Sequence, residues 1–229
     1  MGASLLACLH FFMCTSLLFY MLKCGMAKVI SIGNMKGGVG KTTSAVHLAQ
    51  QLGRKGKTLL LDADEELQCA VYWRASDFAG WTFDAMPFRE FTPEKAEGYE
   101  YVIIDTKGNE QGQDLVSLAH SSDLLVIPTK PDGLSATGLI RTLTPLVDAG
   151  VTNYRVLIVA NVGGRGEELR DALAEQEVPV MTTLVRQSTA VGDAAERRVP
   201  LEAYPGNRYA KLVSLDYGSV AREVLNHVR

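Results

Sequence analysis

Eight consecutive residues, Lys36-Gly37-Gly38-Val39-Gly40-Lys41-Thr42-Thr43, have the make-up of a cradle for a polyanion. Glycines at 37, 38 and 40 put no Cβ between the backbone N–H groups and an approaching oxygen, so several amides can converge on one phosphate. Lys41 supplies a cation for the β- and γ-phosphates of a nucleotide, and the Thr42 hydroxyl is the kind of ligand that Mg²⁺ takes. Two apolar runs end in acids, Asp62-Ala63-Asp64 and Asp105, which would complete a metal-assisted hydrolytic site. A lone strand-end Asp is as readily a helix cap. Two such ends behind one glycine loop point instead to chemistry.

Those residues need a frame. The run 29–33 reads as a strand opening into the glycine loop, and apolar residues at helical spacing over 42–52 follow it. Further short, wholly apolar runs at 58–61, 101–104, 124–127 and 156–160 end in Asp62, Asp105, Pro128 and Asn161, as strands covered on both faces should. Helices are expected over 113–120, 134–149, 167–176, 189–197 and 207–227. The alternation predicts an α/β fold: a doubly wound, mainly parallel sheet of P-loop NTPase type with helices on both faces, and the site along one edge. Residues 26–229 read as one domain.

The general phosphate-loop pattern asks for glycine six residues before Lys41; Met35 stands there, and a second lysine, Lys36, enters the loop. KGGVGKTT preceded by VISIGNM resembles the deviant Walker A loop of the ParA/MinD family of P-loop ATPases, and the resemblance runs over residues 26–229. It implies ATP and Mg²⁺ as cofactors, a homodimer that forms on ATP binding, and a trans role for Lys36 on the partner's phosphates. The resemblance places Asp64 at the attacking water, Asp62 near the Mg²⁺ shell with Thr42, and Asp105 as the Walker B carboxylate. It also matches Asn161 and Pro205 to the surroundings of the base. Two departures stand out. Glu65-Glu66 replaces the usual Pro-Gln, and Lys107-Gly108 replaces Pro-Pro or Pro-Gly after Thr106.

The C-terminal third, through Val185-Arg186-Gln187-Ser188, Val199-Pro200-Leu201 and Tyr204-Pro205, is similar to small partition ATPases of the ParF type, as is Trp73. That implies plasmid or chromosome segregation with a centromere-binding ParB-like adaptor and nonspecific DNA. Arg197, Arg198, Lys211 and Arg222 are the candidate basic patch for the DNA backbone. A conjugation-associated VirC-type ATPase is a close alternative on the segments around Asp62 and Asp105, and a membrane-anchored MinD-like positioning regulator is another. The last helix reads as core rather than as a basic membrane-targeting tail.

Of 229 residues, 47% are hydrophobic, and 23 Lys and Arg meet 26 Asp and Glu for a net charge of −3. That excludes an intrinsically disordered chain and a histone-like polycation. Residues 1–61 carry seven Lys or Arg and no acid, whereas 62–123 carry fourteen acids against four bases, so an anion site is expected early in the domain. Three of four cysteines lie before residue 26, and Cys69 alone cannot ligate a bridging cluster, so iron–sulfur chemistry is not expected and the body reads as cytoplasmic and reduced; the resemblance to partition ATPases implies that it is nucleoid-associated. Residues 3–22 hold no formally charged side chain and are long enough to span a bilayer as a helix. The favoured reading makes 1–25 an upstream extension before a start at Met21 or Met26; membrane contact is expected only if 3–22 are translated.

Overall fold

The computed structural model describes residues 27–108, 111–205 and 208–228. The expected extension 1–25 and the first residue of the last expected helix, Asn207, lie outside them. The strands are β1 (Lys28–Ile32), β2 (Thr58–Asp62), β3 (Asp84–Pro87), β4 (Tyr101–Asp105), β5 (Leu124–Thr129) and β6 (Tyr154–Ile158). The α-helices are α1 (Lys41–Leu52), α2 (Cys69–Arg74), α3 (Gly112–His120), α4 (Gly133–Asp148), α5 (Arg165–Glu175), α6 (Ala190–Glu196) and α7 (Arg208–His227).

The six strands form one sheet in the order β3-β2-β4-β1-β5-β6, and every pairing is parallel. β1 sits centrally between β4 and β5, with Ile32 opposite Asp105 and Val126. Asp62 pairs in register with Asp105 across the β2–β4 boundary. The chain therefore reverses its winding beside β1, and the loops leaving β1, β2 and β4 open on one crevice, where such sheets bind ligands.

Successive side chains on each strand face opposite layers. On one face Ile30, Ile32, Leu60, Ile103, Val126 and Leu157 pack with α1, α6 and α7 through Val46, Ala49, Ala194, Val213 and Val220. On the other face, Val29, Leu59, Leu61 and Val102 meet Phe91, Ala96 and Tyr99. Beyond them Leu125, Ile127 and Val156 meet Leu115, Leu139 and Leu146 of α3 and α4. The sheet is thus covered on both sides.

Two elements were not expected from the sequence. β3 is an edge strand of Asp-Ala-Met-Pro, polar at its start and closed by a proline, and it lacks the apolar run of its neighbours. α2 is only six residues long, too short for helical periodicity to register. β6 starts and ends two residues before the expected 156–160, because Ala160 takes a left-handed φ of 56° that no strand accommodates.

Candidate functional site

The loop after β1 is anchored before it turns. Asn34 is fully buried; its amide donates to the Pro128 carbonyl at 2.8 Å, and its Oδ1 accepts the Lys36 N–H at 2.8 Å and the Thr142 hydroxyl at 2.9 Å. Gly38 and Gly40 then adopt φ of 71° and 94°, conformations that cost a residue with a Cβ. Gly40 is the N-cap of α1, and no side chain caps that helix or places an acid in its first turn. The amides of its first turn, with the positive end of the helix dipole, are left to face an anion.

Lys41 is 7% exposed, and its ammonium donates to the Lys36 carbonyl at 3.0 Å, which fixes the cation across the mouth of the loop. A Cβ on Gly108 would stand 3.4 Å from the Gly37 Cα and 3.8 Å from Lys41 Nζ, so the segment after β4 lies directly against the phosphate loop. Thr106 secures that segment by donating its hydroxyl to the Ile32 carbonyl at 3.0 Å.

The acids differ sharply in their surroundings. Asp105 is 1% exposed; burial pushes its carboxyl up to about 8, opposed by a hydrogen bond from Thr42, and by the Lys41 charge, and reinforced by Asp62. Among the described residues nothing hydrogen-bonds to its Oδ1. Asp62 is also raised, chiefly by burial, but both of its oxygens are in use: Oδ1 accepts the Asp64 N–H, and Oδ2 accepts those of Ala70 and Val71 at 2.9 and 3.1 Å. It caps α2. Asp64 is half-buried, and its Oδ1 accepts the N–H groups of Glu66 and Leu67 in the following turn.

These groups open on a cleft of about 1130 Å³. Its phosphate end is lined by Gly37, Gly38, Gly40, Lys41, Thr42 and Thr43, and Asp64, Glu65 and Glu66 face them along with Lys107 and Lys130. The cleft is also lined by Val159, Ala160, Val191, Val213, Tyr217 and residues 185–188. Sequence reasoning quoted 185–188 only as part of the ParF-like segment. Their place in the cleft follows from the β-bridge between Asn161 and Arg186, which no local pattern announces.

Several expected site residues do not line the cleft. The Val39 side chain, between Gly38 and Gly40 in the phosphate loop, is buried, 1% exposed. Asn161 and Pro205 are not among the residues lining the cleft. The Asn161 carboxamide accepts the Gly166 N–H at 2.8 Å and donates to Glu167 at 3.0 Å, which ties it to the start of α5, and Pro205 is exposed. Arg197 and Arg198 end α6, where they stack on Tyr204 and Tyr72, each 5.3 Å from the ring centroid, while Lys211 and Arg222 project from α7. The four basic residues thus come from two separate elements, with Arg198 also donating to the Ala75 carbonyl.

The donor set fits Mg²⁺ in one respect. A buried carboxylate oxygen without a partner, behind a threonine at a helix N-terminus, suits a hard cation held through water and phosphate. Among the described residues no group of three or more His, Cys, Asp or Glu side chains could hold a metal ion.

A family model described as the CobQ/CobB/MinD/ParA nucleotide binding domain matches residues 30–201. The maintenance of carboxysome distribution protein A of Gloeobacter kilaueensis is 32% identical over 206 residues, 86% of this chain and 94% of that protein. Protein virC1 of Rhizobium radiobacter is 29% identical over 195 residues, 78% of this chain and 73% of its own. Among solved structures, the MinD cell division protein of Aquifex aeolicus superposes with a TM-score of 0.66 at 19% identity, over 87% of this chain and 97% of that one.

Proposed function

The chain belongs to the CobQ/CobB/MinD/ParA nucleotide-binding family, and we propose that it is an ATPase that dimerises on ATP and uses hydrolysis to release its cargo. The observation that carries this reading is the unpartnered, buried Asp105 oxygen behind Thr42, at the foot of a phosphate loop whose Lys41 is already fixed across its mouth.

Mg²⁺, when bound, supplies Lewis-acid charge on the phosphate oxygens. Thr42 and Asp105 would hold it, Asp105 through water, with Asp62 nearby but engaged in capping α2. Gly37, Gly38 and Gly40 present amides, and Lys41 neutralises the terminal phosphates of its own subunit. Asp64 lines the cleft and orients the attacking water. Lys36 acts on the phosphates of a second copy, so that a transition state with charge spread over phosphoryl oxygens is stabilised only in the dimer.

The cargo favoured by the ParF-like C-terminal third is a plasmid or chromosome, held through a ParB-like adaptor, with the dimer resting on nonspecific DNA. A second reading has a specific observation behind it. The relative that is matched over 94% of its length is named for carboxysome distribution, so the same switch could carry a protein body in place of DNA. The VirC-type and membrane-anchored readings keep the same cleft and differ only in what the dimer recruits.

The test is ATP turnover and sedimentation of the full chain with and without duplex DNA. ATP-dependent dimers whose DNA retention falls steeply with salt support the segregation reading. Equal retention with ATP, ADP or no nucleotide removes it. An ATP dimer that ignores DNA supports the protein-cargo reading.

A further inference from the structure

Four side-chain cations among the described residues line the cleft: Lys41, Lys107, Lys130 and Arg186. Three of them are accounted for. Lys41 is buried and donates to the Lys36 carbonyl at 3.0 Å. Arg186 is taken up by Asp216 through two contacts, at 2.7 and 2.8 Å. Lys130 is near enough to Asp132 to help hold that carboxyl below the ordinary range, after the hydrogen bonds from Ser135. Lys107 is exposed, and among the described residues no ion pair or hydrogen bond engages its ammonium.

The backbone on either side of Lys107 is nevertheless fixed. Before it, buried Thr106 holds the Ile32 carbonyl twice, through its N–H at 3.3 Å and its hydroxyl at 3.0 Å, which ties the segment to the end of β1. After it, a Cβ on Gly108 would stand 3.4 Å from the Gly37 Cα and 3.8 Å from Lys41 Nζ. Successive Cα atoms are about 3.8 Å apart, so the stem of Lys107 starts one step from that contact, beside the ammonium of Lys41. Two ammonium groups repel each other in the absence of an anion, and a phosphate between them attracts both. A flexible four-carbon stem lets Lys107 stay solvated in the first case and reach inward in the second.

We propose that Lys107 is a second in-cis cation for the terminal phosphate of the nucleotide, and that it makes the cleft favour a nucleoside triphosphate over the diphosphate. The inference rests on the ATPase reading given above, in which Lys41 neutralises the terminal phosphates of its own subunit. The phosphate within reach of both ammonium groups is the one beside Lys41. Its loss in hydrolysis restores the repulsion between the two lysines and sets Lys107 free. The same cleft carries Glu65 and Glu66, whose charges oppose a polyphosphate, and a lysine at 107 counters part of the charge that they add. Proline, which the family pattern has after Thr106, supplies no charge there, so the role belongs to this chain's own residue.

The experiment is calorimetric titration of the full chain, with Mg²⁺, by ADP and by a non-hydrolysable ATP analogue. It is run in the wild-type chain and in a Lys36→Ala background, where the dimer is weakened. Lys107→Gln removes the charge and keeps a long polar side chain, whereas Lys107→Arg keeps the charge. Lys107→Gln should weaken the triphosphate analogue by about ten-fold, the scale of one charge-assisted hydrogen bond, and leave ADP within about two-fold. Lys107→Arg should recover most of the loss. An equal fall for both nucleotides, or no fall for either, overturns the assignment. So does a loss confined to chains that keep Lys36, because the charge would then act on a partner's phosphates. A chain with Lys107 intact that binds neither nucleotide removes the ATPase reading and this role with it, whereas a triphosphate preference that survives Lys107→Gln removes the role of Lys107 alone.

Discussion

Asp216 of α7 grips Arg186 through a two-pronged ion pair, with Arg186 Nε 2.7 Å from Oδ2 and an Arg186 terminal nitrogen 2.8 Å from Oδ1. The same Oδ2 accepts the Arg186 backbone N–H at 3.1 Å, so one carboxylate holds both the side chain and the main chain of a residue that lines the cleft. Asp216 is 8% exposed and Tyr217, its neighbour, also lines the cleft, which makes α7 part of the wall. Asp216→Ala should lower stability by about 1–3 kcal/mol, the loss of charge-assisted bonds at a largely buried oxygen. Nucleotide affinity should fall as well, because 185–188 are no longer held against α7. Chemical denaturation paired with calorimetric nucleotide titration checks both; unchanged affinity in the variant would show that residues 185–188 do not touch the nucleotide.

His47 gives a pH prediction with a definite sign. It is 1% exposed on α1, between Trp73 and Tyr217 at ring-centroid separations of 5.0 and 5.1 Å, and no group among the described residues hydrogen-bonds to its Nε2. Burial lowers its pKa from 6.5 to about 4, with Glu202 opposing. The folded state therefore resists a proton that the unfolded state accepts. Stability is full above about pH 6.5 and declines as pH falls towards 4, by a total of about 3 kcal/mol. His47→Leu should flatten that limb of the curve. Urea midpoints across the range decide it, and an identical acid limb in the variant would place the proton uptake elsewhere.

The loop glycines should not respond alike to alanine. At Gly40 the φ of 94° is strained for any Cβ, and the added methyl would also press on Val159 at 3.3 Å. Gly37 has nothing within 4 Å and no positive φ. Gly40→Ala should cost about 1–2 kcal/mol of stability, while Gly37→Ala should be close to neutral in thermal unfolding. Phosphate affinity is a separate matter, since a methyl at Gly37 faces the cleft. Equal thermal shifts for the two variants would contradict the backbone argument.

The phosphate loop and the strand-end acids were legible because their chemistry is local: glycines, lysines and acids within a few residues of a strand end. Asp62, Asp64 and Asp105 indeed come together, since β2 and β4 pair in register at Asp62 and Asp105. What the sequence concealed was long-range. Arg186 reaches the cleft through a bridge to Asn161 and an ion pair to Asp216, thirty residues further on. Asn161, which the resemblance matches to the surroundings of the base, follows the left-handed turn at Ala160 and bonds Gly166 and Glu167 at the start of α5, a pairing that no local pattern announces. The hydrogen bond from Lys36 to Ser135 spans 99 residues and left no local trace.

The two catalytic assignments other than Lys41 can be separated by mixing. Asp64 lines the cleft of its own subunit and is expected to act there, so Asp64→Ala should retain ATP, lose turnover and leave a stable ATP dimer. Lys36 is expected to act on a partner, so Lys36→Ala should retain ATP, lose turnover and weaken the dimer. A heterodimer of the two variants holds one complete site: Asp64 from the Lys36→Ala subunit with Lys36 from the Asp64→Ala subunit. The other site lacks both groups. Mixing should therefore restore part of the activity, up to about half of the wild-type turnover per dimer if the sites fire independently. Were Lys36 to serve its own subunit, neither site of the heterodimer would be complete and mixing would restore nothing. Turnover measured against mixing ratio, with heterodimers verified by differently tagged subunits, distinguishes the two geometries even if each variant folds and binds ATP normally.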